Sequence, residues 1–124
     1  MSINFLVDPQ RQVVRTSYIG LVGPVELTAY ARSLVSQGLL RRAQLIDCRT
    51  ATLALTAGDT RRLSDMMGEL RAEHGTAPVA FVAGDAASYD VARWYLELGA
   101  GSNPAFEVFA DIAAAETWIA ISSA

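Results

Sequence analysis

A chain of 124 residues, 52% hydrophobic and 19% charged, has the size of one domain and too much apolar content for intrinsic disorder. Its formal net charge of −3 argues against nucleic acid as a partner. All ten basic residues are arginine, which excludes lysine Schiff bases, lysine general bases and Walker-type phosphate loops.

Compartment signals are few. Cys48 is the sole cysteine, so no internal disulfide forms, and a single buried thiol suits a reducing cytosol. The residues Met1-Ser2-Ile3-Asn4-Phe5 lack the basic flank and long apolar stretch of a signal peptide. No apolar run approaches the roughly 18 residues of a membrane span. The expectation is a cytoplasmic protein with no membrane insertion, folded as one domain over 1–124.

In chain order, Ile3–Val7 reads as a short strand, Asp8-Pro9-Gln10-Arg11 as a turn, and Val13–Ile19 as a second strand completing an antiparallel hairpin. Gly23-Pro24 opens a helix whose inward face is Leu27, Tyr30, Ala31, Leu34 and Val35, and Gly38 stops it. Ala43–Cys48 has the composition of a buried strand and is followed by an apolar loop, Ala51-Thr52-Leu53-Ala54-Leu55. Thr56 and Asp59 form a capping box for a second helix, with Leu63, Met66, Met67 and Leu70 inward and Gly75 at its end.

Pro78–Ala83 is apolar throughout, as a parallel strand covered on both faces requires. Asp85 caps a third helix, Ala86–Leu98, ended by Gly99-Ala100-Gly101. Phe106–Ala110 is a last strand, and Asp111 caps a final helix carrying Ile112, Ala115 and Ile119 inward. The order implies an α/β fold: a single mixed sheet, an N-terminal hairpin plus parallel βαβ units, packed with about four helices.

Ligands of open α/β sheets gather at the carboxyl ends of the strands. That rim holds Asp47, the 49–58 segment, Asp85 and Asp111. Aspartates there could hold Mg²⁺, but capping explains Asp85 and Asp111 without a metal. His74, the one histidine, falls in the last turn of the second helix and complements its dipole. Nothing places it beside Cys48, and Ser88, Ser102 and Thr56 have no identifiable base, so no nucleophilic constellation exists. On the third helix, 100° per residue puts Ala87, Val91, Trp94, Tyr95 and Leu98 inward and Tyr89, Ala92, Arg93 and Leu96 outward. An outward face with Tyr89, Arg93 and Leu96 has the composition of a partner-binding patch, and Trp118 on the flank of the last helix is a further candidate.

Several of these segments are similar to the STAS superfamily, and specifically to SpoIIAA-like proteins related to anti-sigma-factor antagonists. They are Gly23-Pro24, Leu45-Ile46-Asp47, Val79-Ala80-Phe81-Val82, Tyr89 with Ala92-Arg93-Trp94-Tyr95, and Val108-Phe109-Ala110-Asp111 followed by Ala115-Glu116-Thr117-Trp118-Ile119. The resemblance implies a small non-enzymatic module for protein interaction or ligand sensing, and no cofactor is expected. Antagonists of that family carry Asp-Ser-Ser-Gly ahead of the helix after the third strand, with a regulatory phosphoserine. Here the segment is Leu55-Thr56-Ala57-Gly58, so the usual phosphoserine switch is not expected, and Thr56 is the one phosphorylation candidate.

The leading reading is therefore a regulatory module with a protein partner, with a homodimer through Tyr89 and Leu96 as one form of that contact. The alternative is a domain that binds or senses a small apolar ligand or lipid, with Leu53, Leu55, Thr56 and Asp85 as ligand or loop candidates. A third is an Mg²⁺-dependent enzyme using the strand-end aspartates.

Overall fold

The computed structural model describes residues 2–123. Five strands, β1 (Ile3–Val7), β2 (Val14–Val22), β3 (Gln44–Leu53), β4 (Val79–Ala83) and β5 (Phe106–Phe109), form one sheet in the order β1-β2-β3-β4-β5. β1 runs antiparallel to β2 and every other pairing is parallel, as expected of a hairpin followed by βαβ units. The helices are α1 (Pro24–Ser36), α2 (Ala57–His74), α3 (Ala86–Glu97) and α4 (Ile112–Ser122).

Sequential order has a geometric consequence. Each parallel crossover is right-handed, and three successive ones moving the same way along a sheet put their helices on one face. α1, α2 and α3 accordingly cover one side, where Val14, Tyr18, Val22, Ile46, Val79 and Phe81 meet Leu27, Leu34, Met67 and Ala92. α4 follows the last strand and closes no crossover. It folds onto the other side, over a smaller cluster of Val13, Leu45, Ala80, Val82, Ala115 and Ile119. β4 feeds both clusters: Val79, Phe81 and Ala83 point to one, Ala80 and Val82 to the other, and all five are buried.

β3 is longer than its sequence indicates. The period-two alternation of Ile46 and Cys48 breaks after Arg49, which reads as a strand end. The pairing instead slips by one residue: Ser17 lies opposite Asp47 but Ile19 opposite Thr50, leaving an extra residue on β3. This bulge restores the phase, so Ala51 and Leu53 point to the same side as Ile46 and Cys48. The expected apolar loop is thus the second half of a strand, with buried Leu53 at its end and half-buried Leu55 beyond.

The rotation of α3 also corrects the expectation. Ser88 and Ala92 are its buried residues, and Tyr89, Val91, Tyr95 and Leu96 flank them against the core. Trp94, expected inward, is 39% exposed. The inward seam is made of small residues, because these let the helix approach the sheet closely; choosing the bulkiest apolar side chains misplaces the face by about a quarter turn. Ser88 also has a polar task there, its hydroxyl accepting from the Leu53 amide at 3.2 Å.

α2 departs similarly. Its fully buried residues are Thr60, Ser64, Met67 and Arg71, while Leu63, Met66 and Leu70 are half-buried flanks. α1 buries Leu27, Tyr30, Ala31 and Leu34 as its periodicity indicates. Beyond α3, Gly99, Ala100, Gly101 and Ser102 all have positive φ, a left-handed turn that ends the helix sharply.

Gly84, between β4 and α3, lies against the bulge. A Cβ there would stand 2.5 Å from the Arg49 carbonyl oxygen, a backbone atom that cannot swing aside. Gly84→Ala should therefore destabilise by about 1–3 kcal/mol in chemical denaturation. Unchanged stability would mean that the bulge yields without cost.

Candidate functional site

The sequence-derived candidates scatter over the fold. Arg93 is exposed on α3 as expected, but Tyr89 and Leu96 are half-buried against the larger cluster, so the three do not form an open patch. The cause is the quarter-turn rotation of α3 described above. Trp118 packs on Phe109, ring centroids 5.8 Å apart, as part of the smaller cluster.

The strand-end aspartates are engaged locally. Asp85 accepts from the Ser88 amide at 2.7 Å and from the Thr52 hydroxyl at 3.1 Å. Asp111 accepts from the Ala113 amide, and Asp47 accepts two hydrogen bonds from the Arg49 guanidinium at 2.9 and 2.8 Å. Thr56 and Asp59 make the expected reciprocal box, each side chain accepting from the other's amide at 3.0 Å. Among the described residues, no three His, Cys, Asp or Glu side chains are grouped to hold a metal ion.

The feature that sequence reasoning missed lies inside. Between the sheet and α1–α3 is a cavity of about 90 Å³. Its lining is mostly apolar, from Leu27 and Leu34 on α1, Leu63 and Met67 on α2, Val91 on α3, and Phe81 and Phe106 on the sheet. Leu53 and Leu55 line it too, so two of the ligand candidates do meet at one place. Thr56 and Asp85 do not reach it.

Polar groups intrude at defined points: Tyr18, Tyr30, Gln44, Thr60, Arg71 and Tyr95. The hydroxyls of Thr16 and Tyr30 are 2.6 Å apart, and the Tyr30 hydroxyl donates to Gln44 Oε1 at 3.2 Å. Burial raises the Tyr18 and Tyr30 hydroxyls far above their ordinary pKa and pushes Tyr95 up to about 12, so all three stay neutral. Burial also disfavours the charged form of Arg71, whose guanidinium Nε and Nη1 have no hydrogen-bond partner, nor has Gln44 Nε2.

One signal for this cavity was available. Arg71 stands four residues after Met67, on the inward face of α2, where an arginine is out of place. Gln44 interrupts the apolar start of β3 in the same way.

A second depression of about 270 Å³ lies on the surface between the starts of α1 and α2, lined by Pro24, Thr28, Asp59, Arg62 and Met66. Leu27, Leu55 and Leu63 line both spaces, so the cavity and the groove adjoin at these three side chains.

Two measurements follow from these environments. Burial pushes the Cys48 thiol from an ordinary 9.0 up to about 11. A two-unit rise leaves about a hundredfold less thiolate, so native protein at neutral pH should react with iodoacetamide at least that much more slowly than denatured protein. Equal rates would refute the buried thiol.

Asp47, Asp59 and Asp85 are all held below the ordinary 3.8, by the Arg49 side chain, the Thr56 amide and the Ser88 amide respectively. A carboxyl whose pKa is lower folded than unfolded stabilises the fold above its unfolded value and stops doing so as pH falls through its folded value. The thermal midpoint should hold steady down to about pH 5 and fall below about pH 4. A midpoint that rises on acidification would contradict these hydrogen bonds.

No family model matches the chain, and no curated protein does. A solved structure does: that of an uncharacterized protein of the DUF3478 family with a SpoIIAA-like fold, from Shewanella loihica PV-4. It is 18% identical, with a TM-score of 0.58, over 95% of this chain and 93% of that one. The order of elements, the mixed sheet and its four helices agree with that likeness, and the fold of this chain is SpoIIAA-like.

Proposed function

We propose that the chain is a regulatory module of the cytoplasm that acts by binding a protein partner rather than by catalysis. The observation that carries this reading is the bare half of the sheet. α4 packs mainly over β3, β4 and β5, and its Glu116 reaches β2 in an ion pair with Arg15. Beyond Arg15 on that side lie Ile19 and Leu21, 47% and 71% exposed, with Leu6 of β1 on the same side of the sheet. Thr50 and Thr52 of β3 stand beside Ile19 and Leu21 and are also exposed. β1 pairs with β2 only as far as Tyr18, so among the described residues Gly20–Val22 is paired with β3 on one side and has no strand on the other. Exposed apolar side chains next to an open strand edge are the usual makings of a contact surface.

A second reading, a domain that binds a small apolar ligand, is favoured by the interior cavity. The two are compatible, because the cavity and the bare surface lie on opposite faces of the sheet.

Leu21→Asp combined with Ile19→Asp tests the leading reading. Both side chains are exposed, so stability should change by no more than about 0.5 kcal/mol per site. Recovery of specifically crosslinked partners from cells of the source organism should fall at least tenfold, the effect of losing about 1.4 kcal/mol of binding. Undiminished recovery would remove this surface from consideration.

A further inference from the structure

The interior cavity contains an imbalance that the apolar-ligand reading leaves unexplained. Among the described residues, the buried side-chain nitrogens and oxygens without a partner are Gln44 Nε2, Arg71 Nε and Arg71 Nη1. All three are donors. Both residues line the same cavity and are well buried, Gln44 at 2% exposure and Arg71 at 6%. No aspartate or glutamate is among the cavity's lining residues. The groups whose charge states bear on Arg71 are the hydroxyls of Tyr95 and Tyr30, which burial keeps neutral.

An arginine cannot shed its proton to relieve this. A buried charge with no counterion is among the costliest features a fold retains, and replacing such groups with apolar ones is often neutral or stabilising. Water would satisfy the donors but would not balance the charge. What is missing is an acceptor carrying one negative charge.

We propose that Arg71 and Gln44 form the head-group site for a small monocarboxylate whose apolar tail lies among Leu53, Leu55 and Leu63. This rests on the ligand-binding reading of the cavity and names the class of ligand. A guanidinium donates charge-assisted hydrogen bonds to a carboxylate, side-on along the edge that carries Nε or end-on along the edge that carries Nη1. One guanidinium balances one charge, whereas a phosphomonoester brings about −1.5 to −2 at neutral pH. The amide of Gln44 is held by Tyr30 through its oxygen, which leaves its NH₂ free to donate. Length also fits. Arg71 lies eight residues along α2 from Leu63, about 12 Å, so a head at Arg71 directs an extended tail toward Leu63 and Leu55, which also border the surface groove.

Calorimetric titration of the full chain with octanoate, 1-octanol and octyl phosphate tests this, using wild type, Arg71→Met and Gln44→Leu. Octanoate is expected to bind wild type, and Arg71→Met to weaken it by about ten- to a hundredfold, the loss of hydrogen bonds to a charged group. Octanol should bind more weakly and respond little to that substitution. Arg71→Met should melt no lower than wild type, and if it does not fold, Gln44→Leu should still weaken octanoate severalfold while sparing octanol. Octanol binding as tightly as octanoate, or octanoate indifferent to both substitutions, overturns the carboxylate site and leaves an apolar-ligand cavity. Octyl phosphate binding tenfold tighter than octanoate overturns the assignment of a single charge. Binding of none of the three overturns both this site and the ligand-binding reading.

Discussion

The constraint on which the rest of the structure depends is the sequential order of the parallel strands. Because β2, β3, β4 and β5 are neighbours in chain order, three right-handed crossovers load three helices onto one face. That face becomes a thick layer, in which α2 packs against α1 on one side and α3 on the other. A helix held between helices and raised from the sheet leaves room beneath it, and there the cavity lies. The opposite face receives only α4, which is too short to cover five strands, and so the outer side of β2 stays bare. Cavity and exposed surface are two results of one topology.

The bulge in β3 couples those two faces to the strand-end rim. By absorbing one residue near Arg49 it keeps Ala51 and Leu53 on the cavity side and Thr50 and Thr52 on the bare side. It also brings the Arg49 backbone so close to Gly84 that no side chain fits at the start of α3. The Leu53 amide then meets the Ser88 hydroxyl, and the Thr52 hydroxyl meets the Asp85 cap. The aspartates that resemble a metal site are thereby occupied in ending strands and starting helices. Thr56 is likewise tied into its capping box, ahead of a helix whose buried face runs from Thr60 to Arg71.

Much was legible in the sequence where the signal is local. The caps at Thr56, Asp85 and Asp111, the helix stops at Gly38 and Gly75, and the doubly buried β4 each depend on a few adjacent residues. So does α1, whose inward side chains are also its bulkiest apolar ones. The faces of α2 and α3 were misjudged because periodicity ranks side chains by hydrophobicity. Close packing against a sheet favours small residues such as Ser88 and Ala92, and the edge of a cavity tolerates polar ones such as Thr60 and Arg71. The second half of β3 was hidden by a bulge, which breaks alternation without ending the strand.

The sequence by itself determined the class of fold, the element order and the want of a lysine, since these follow from composition and short-range pattern. Tertiary structure decided where any site lies. The interior cavity draws on Tyr30, Gln44, Arg71 and Tyr95, each from a different element, and the bare sheet face exists only because of where α4 comes to rest. The solitary charge of Arg71 is the plainest case. Ten arginines look alike in composition, and only the packing of α2 sets this one against an apolar cavity with no carboxylate to meet it. Pairing between side chains far apart in the chain is a property of the folded arrangement, which no local pattern encodes.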